Sequence, residues 1–395
     1  MRIAIVNTYY HPQDVGGAER SIRFLAEAFV QRGDQVMVVV TGDTDSEEEI
    51  GGVRVVRRRR RNAAQLLPLK GAAGKLLWHS VDTWNHAAAG DVAAVINAFA
   101  PDVVHTNNLS GISVALWPLL KRAGIPIVHT LRDYYLLCPN TAMFKHDKQC
   151  PSGRCAVCRG LSSPRIRATK HVDVVVGNSR FILNKHKEHG AFSNSQSHVI
   201  YNAYQPVNAE EDNRDPGFVT FGYIGRLAPT KGVGILLDAL RAAMPFLRPI
   251  RLLIAGEGDP EYVATLHRMA LDLPVEFLGR VSPQDFYPRI DWCVVPSLWD
   301  EPLARVLFES FAHGIPVIGA RTGGTPELIN HGKNGFGYAA TDVAALAKTI
   351  KDATVTSRVQ WLDFSRQSRN DSTSFLPSRV LHGYTLAYQD ACSEP

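Results

Sequence analysis

Glu301 and Glu309 stand eight positions apart in the stretch Glu-Pro-Leu-Ala-Arg-Val-Leu-Phe-Glu. The segment between them has the marks of a helix start. Trp299-Asp300-Glu301 reads as a turn and Pro302 suits the first helical position. Leu303, Val306, Leu307 and Phe311 then keep helical spacing until Gly314 and Pro316 end it. Eight residues are a little over two turns, so the second acid would sit roughly 12 Å further along the axis by the 1.5 Å rise, on nearly the same face. A helix N-terminus attracts anions. The pattern therefore suits a long polar ligand with hydroxyls at both ends and an anion between them, such as a nucleotide diphosphate sugar. The plainer reading keeps Glu301 as a cap and Glu309 as a solvated helix acid.

Other residue groups fit the same chemistry. Arg226 and Lys231 follow the apolar run Val219–Ile224 within a Gly-Arg-x4-Lys-Gly turn. Two fixed cations there would stabilise the charge that builds on a departing diphosphate without a metal; otherwise they are surface cations in a loop. Gly16-Gly17 lies between an apolar strand and a helix, where backbone N–H groups can approach an anion with no Cβ in the way. Its alternative is a tight strand-to-helix turn. Cys138, Cys150, Cys155 and Cys158 lie within 21 residues and end in C-x4-C-x2-C. Four thiolates so close suit a tetrahedral structural zinc bracing a long loop, with His146 or Asp147 as substitute ligands. Free thiols or disulfides are the alternative.

These residues need a scaffold, and short apolar runs supply it. Residues 3–8, 36–40, 103–105, 127–129 and 172–176 read as buried parallel strands, with a helix over 18–31. A polar stretch with two prolines, 205–217, reads as a linker. A second series follows at 219–224, 251–255, 275–278, 293–295 and 316–318. The expected architecture is α/β: two tandem doubly wound Rossmann-like domains facing across a cleft. The first domain is placed at 1–204, the second at 205–374, and a last helical piece at 375–395.

The 395 residues are 45% hydrophobic, enough for two domain cores. Residues 1–205 hold 25 Lys and Arg against 16 Asp and Glu, while the remainder holds 18 against 22. The basic excess thus belongs to the first half, densest at Arg54 and Arg57 to Arg61 and followed by the apolar and cationic stretch 65–78. A solvated strand end and a face for anionic lipid both fit this composition. Nucleic acid does not, because no aromatic-interleaved sheet or helix-turn-helix pattern accompanies the arginines. No run approaches the ~18 apolar residues of a membrane span. With no leader pattern at the start, the expected location is cytoplasmic, peripheral on the inner face of the cytoplasmic membrane.

Three motifs together, Phe-Gly-Tyr-Ile-Gly-Arg-Leu-Ala-Pro-Thr-Lys-Gly (221–232), the E-x7-E stretch (301–309) and Gly-Ala-Arg-Thr-Gly-Gly-Thr-Pro-Glu-Leu-Ile (319–329), resemble the C-terminal half of the retaining GT-B glycosyltransferases of the large family four. Gly16-Gly17 resembles that family's N-terminal glycine loop, so the likeness spans nearly the whole chain. It implies a hexose-type sugar moved from a nucleotide diphosphate donor, UDP favoured over GDP, to a sugar or lipid-linked acceptor in polysaccharide or glycolipid assembly. It implies no catalytic cofactor, and the last helical piece would cross back onto the first domain. By residue, Glu309 matches the acid on the ribose hydroxyls, and Glu301 the acid near the transferred sugar, beside the backbone of Leu303 and Ala304. Gly323-Gly324 matches the loop under the helix, and Gly279-Arg280-Val281 the loop whose backbone meets the base. One departure stands out: where many relatives have His-Asp after the fourth strand, this chain has Arg132-Asp133. Either the donor sugar carries a negative group, or the position serves the acceptor, or His129 takes the role. A GT-B sugar-nucleotide epimerase and a non-catalytic sugar-nucleotide binder are the alternatives to a transferase.

Overall fold

Short runs of β-branched residues alternate with amphipathic helices and build two parallel sheets. The computed structural model describes residues 1–13, 16–61, 71–145, 148–150, 154–205, 207, 217–244 and 249–393. His146, Asp147, the 65–70 part of the cationic stretch and most of the expected linker lie outside the described residues. The strands are β1 (Arg2–Val6), β2 (Gln35–Gly42), β3 (Ser46–Ile50), β4 (Val53–Arg59), β5 (Val103–Thr106), β6 (Ile127–Leu131), β7 (Phe144–Lys145), β8 (Lys148–Gln149), β9 (Val174–Gly177) and β10 (Gln196–Val199). The second series is β11 (Val219–Ile224), β12 (Ile250–Ala255), β13 (Val275–Gly279), β14 (Trp292–Val295), β15 (Val317–Ala320) and β16 (Gly335–Tyr338).

The first sheet has the order β10-β9-β6-β5-β1-β2-β4-β3, parallel throughout except for β3 against β4. The second has the order β13-β12-β11-β14-β15-β16, with every pairing parallel. Strand order reverses at β1/β5 in one sheet and at β11/β14 in the other. In open sheets, ligands bind outside the carboxyl ends of the strands at such a reversal.

Two compact units result. Met1–Met143, Cys150–Ala203 and Ser378–Pro395 form the first; Phe144–Gln149 and Tyr204–Pro377 form the second. The first core gathers Ile3, Ile5, Val38, Val40, Val128 and Val176 from the sheet with Ile22, Leu25 and Phe29 from the helix Gly17–Gln31. Val380, Tyr384, Ala387, Tyr388 and Ala391 of the last helix, Pro377–Cys392, belong to the same core. Each fully buried aliphatic side chain there contributes about 1.5–3 kcal/mol.

The arginine run lies on β4 and just beyond it, and β3 opposes it with Glu47, Glu48 and Glu49. Arg54 and Arg58 pair with Glu47, Arg57 with Glu48, Arg60 with Asp43 and Arg61 with Asp91. Among the described residues no helix is long and apolar enough to cross a membrane.

Candidate active site

In the second unit, Lys231, Glu301 and the paired glycines all follow strand ends. Lys231 closes a short 3-10 turn, Pro229–Lys231, after β11. Its Nζ donates to Glu301 Oε1 at 2.5 Å, and Ser297 Oγ, just past β14, donates to the same oxygen at 2.7 Å. Glu301 is only 6% exposed, so the cation and hydroxyl compensate a nearly desolvated carboxylate. Its Oε2 accepts no hydrogen bond among the described residues. The loop after β15 holds the Glu301 backbone. Gly324 N donates to Glu301 O at 2.8 Å and Gly323 N to Asp300 Oδ1 at 3.1 Å. Gly323 has φ +53°, and a Cβ there would stand 2.0 Å from Glu301 O. Only glycine fits that approach.

The helix after Glu301 starts later than its sequence implies. It spans Arg305–Ala312, with Ala304 as an extended N-cap, so Glu301 and Pro302 lie outside it. The reason is the Gly324 contact: it takes the Glu301 carbonyl that a helix would give to the N–H of Arg305. The expected helix start at Pro302 is therefore corrected to Arg305. Glu309 does sit in the helix, buried, with Arg305 Nε donating to its Oε1 at 3.0 Å. Leu303 and Ala304 bury their side chains just ahead of the first turn, where helical N–H groups have no intrahelical partner.

Three loops stack at the carboxyl ends of β11, β12 and β13. Gly225 N donates to Ala255 O, Leu227 N to Glu257 O and Gly256 N to Gly279 O, at 3.0, 2.8 and 2.7 Å. A Cβ on Gly256 would lie 1.8 Å from Gly225 O. Gly256-Glu257-Gly258 is thus part of this platform, although sequence reasoning passed it over; its two glycines after a strand were the available signal. Arg226 and Arg280 are exposed and Val281 is half-buried. The Arg226 side chain has no hydrogen bond or ion pair among the described residues.

In the first unit, Gly16 and Gly17 open the helix Gly17–Gln31 at the reversal of the sheet, and Glu19 Oε2 accepts from Gly16 N at 2.9 Å. Arg132 follows β6. Its Nε donates to Asn107 Oδ1 at 3.0 Å, Nη1 to Asn202 Oδ1 at 2.5 Å and Nη2 to Tyr384 OH at 3.3 Å. Asp133 faces other donors, Tyr135 N at 2.7 Å and Asn108 Nδ2 at 2.5 Å, and burial raises its pKa. His129 does not take up the role that Arg132 leaves open. Its Nδ1 bonds Thr106 Oγ1 at 2.9 Å, its ring lies between Trp117 and Phe192, and burial lowers its pKa to about 3. It is a neutral core residue.

Comparison with known proteins settles the lineage. The family model described as Glycosyltransferase Family 4 matches residues 15–206, and that described as Glycosyl transferases group 1 matches residues 219–354. The chain belongs to the family-four glycosyltransferases. An uncharacterised 42.6 kDa protein in the cps region of Klebsiella pneumoniae is 36% identical over 337 residues, covering 83% of this chain and 87% of that protein. A GDP-mannose-dependent alpha-mannosyltransferase of Corynebacterium glutamicum is 26% identical over 387 residues, 93% of this chain and 82% of that one. Among solved structures, Anabaena HepE in complex with UDP superposes with a TM-score of 0.71 at 19% identity, over 98% of this chain and 99% of that one. The last likeness speaks for the GT-B fold.

In this glycosyltransferase, three of the four clustered cysteines come together, Cys138 and Cys155 lying against Cys158. Among the described residues no three His, Cys, Asp or Glu side chains form a group able to hold a metal ion. Cys155 caps the helix Ala156–Ala168 and Cys158 lies in its first turn. Burial, then hydrogen bonds to Cys155 and Cys138, push the Cys158 thiol up to about 12. Cys150 is tied by its backbone to Met143 O. Sequence reasoning also missed Ser297, Asn107 and Tyr384. None carries a local signal, since each matters through a contact made in the fold.

Proposed function

We propose that this glycosyltransferase moves a hexose-type sugar from a nucleotide diphosphate donor to a hydroxyl of a growing saccharide or lipid-linked saccharide, with retention at the anomeric carbon. The observation that carries the reading is the Lys231–Glu301–Ser297 cluster, clamped by Gly323-Gly324 beside the strand reversal of the second sheet. In the reaction the C1–O bond to the diphosphate breaks and the diphosphate leaves with the electron pair. The acceptor oxygen bonds C1 on the same face, and a departing phosphate oxygen takes the acceptor proton. Lys231 and Arg226 stabilise the charge that develops on that diphosphate. Glu301 Oε2 receives a sugar hydroxyl, with the N–H groups of Leu303 and Ala304 beside it. Glu309 receives the ribose hydroxyls, and the backbone of Gly279, Arg280 and Val281 meets the base.

Gly16 adds support from the first unit. Among the described residues a Cβ there would meet only Glu19 Oε2, at 3.6 Å, so space remains for a side chain, and its absence suits close approach of an anion. The epimerase alternative needs histidines at the sugar, whereas His105 and His129 are core residues. The paired arginines of β4 favour a solvated sheet edge over a lipid-binding face.

Thermal stabilisation by UDP-, GDP-, ADP- and dTDP-sugars tests the donor, with UDP expected and GDP its direct competitor. A ligand at one hundred times its Kd adds about 2.7 kcal/mol to the folded state. The anomeric configuration of the product, read by NMR, tests retention. No stabilisation by any of the four in folded protein overturns the proposal.

A further inference from the structure

The carboxyl end of β6 holds a cation, Arg132, that makes no ion pair among the described residues. Arg132 is half-buried, and its three hydrogen bonds go to two amide oxygens and a phenol. A guanidinium has five N–H groups, so two remain, one on each terminal nitrogen, in the fork that matches a carboxylate or phosphate. Asp133, next in sequence, gives its oxygens to Tyr135 N and Asn108 Nδ2 instead. A second observation points the same way. Asn107 is 2% exposed, and its Nδ2 has no hydrogen-bond partner while lining a small notch with Arg132, Asn108 and Asp133. A buried unmade donor costs about 1–3 kcal/mol. A half-desolvated cation without an ion pair adds to that cost. Both are retained at the strand end where such sheets bind ligands.

The rigidity of the arrangement argues against a merely structural arginine. Tyr384 OH, which accepts from Arg132, is within 3.3 Å of Thr130 Oγ1, and Thr130 Oγ1 in turn bonds His105 Nε2 at 2.7 Å. His105 Nδ1 then bonds Tyr388 OH at 2.8 Å. The guanidinium is thus fixed by side chains anchored in the core, while its remaining N–H groups are left unused. Preorganised donors of this kind pair tightly with anions because little entropy is lost on binding.

We infer that Arg132, with Asn107 Nδ2, recognises a carboxylate or phosphate carried by one of the saccharide substrates, and so selects an anionic substrate over its neutral counterpart. The inference rests on the transferase reading for what the substrates are. The carboxylate of a hexuronic acid and the phosphate of a sugar phosphate share the chemistry, and separate arms distinguish them. In the donor arm, Kd is measured for UDP-glucuronate against UDP-glucose and for UDP-galacturonate against UDP-galactose. In the acceptor arm, glucuronate and glucose 1-phosphate are compared with glucose by NMR titration, with and without UDP. Arg132→Gln should lower affinity for the anionic member on the order of tenfold to a hundredfold, with the neutral member unchanged. Arg132→Lys, which keeps the charge but loses the fork, should retain part of the preference and guards against a folding defect in the glutamine variant. Wild-type protein that binds anionic and neutral members alike in both arms, or a preference that survives in Arg132→Gln, overturns the inference. Failure of every nucleotide to bind strikes the transferase reading instead, because the acceptor arm without UDP still reports on Arg132.

Discussion

At the scale of residues, the Glu301 carboxylate and its surroundings make the sharpest predictions. Lys231→Ala removes both the cation proposed to stabilise the leaving diphosphate and the partner of a nearly buried acid. Its turnover should fall on the order of a hundredfold or more, the size of effect seen when one preorganised donor is lost. Glu301→Gln keeps the shape and loses the charge, and should lower donor turnover while leaving the melting temperature close to wild type. Steady-state release of nucleoside diphosphate checks both; unchanged rates in the two variants would remove the assignment. Gly323→Ala tests the scaffold beneath. A methyl group 2.0 Å from Glu301 O cannot be accommodated without moving the loop, and φ +53° adds strain. Loss of both donor affinity and stability is expected there, whereas Gly16→Ala should lose affinity alone.

At the scale of elements, the last helix is the one whose role reaches furthest. Tyr388 stacks on Phe29 with ring centroids 5.2 Å apart and bonds His105, so the helix completes the first core. Tyr388→Ala should cost about 3–5 kcal/mol in urea unfolding. Leu386→Ala on the exposed face of the same helix should stay within about 0.5 kcal/mol. Equal effects would deny the helix its place in the core. Much of this layer was legible in the sequence. Runs such as Ile3-Ala4-Ile5-Val6 announce buried parallel strands because both faces of the strand are covered. Two edge strands were not legible: β10 reads Gln-Ser-His-Val and β16 Gly-Phe-Gly-Tyr, too polar or too glycine-rich to stand out. The start of the helix at Arg305 was not legible because a hydrogen bond between Gly324 and Glu301, 23 positions apart, decides it. Glu301, Lys231 and Arg132 could be singled out as candidates from type and spacing. Their supports could not: Arg132 reaches Asn107 and Tyr384 across 25 and 252 positions.

At the scale of the whole molecule, the two units should answer to different variables. The first buries His105, His129 and His186, all with pKa values depressed chiefly by burial, His129 to about 3 and His186 to about 4. The second buries His313, depressed to about 4. A histidine whose folded pKa lies below its unfolded value near 6.5 binds its proton only on unfolding. The stability of the neutral form is therefore intact above pH 6.5 and is lost as pH falls toward the folded pKa. Each such group costs about 1.4 kcal/mol per pH unit once well below 6.5, and the first unit carries three against one. Scanning calorimetry between pH 7.5 and pH 5 should accordingly lower the transition of the first unit more than that of the second. A saturating donor nucleotide should raise the second, where Lys231 and Glu301 lie. His129→Phe keeps an aromatic ring between Trp117 and Phe192 and removes one proton from the balance, so it should flatten the acid dependence of the first transition. Parallel displacement of both transitions by acid, or an unaltered slope in His129→Phe, would show that proton uptake by these buried rings is not what sets the acid limit of the fold.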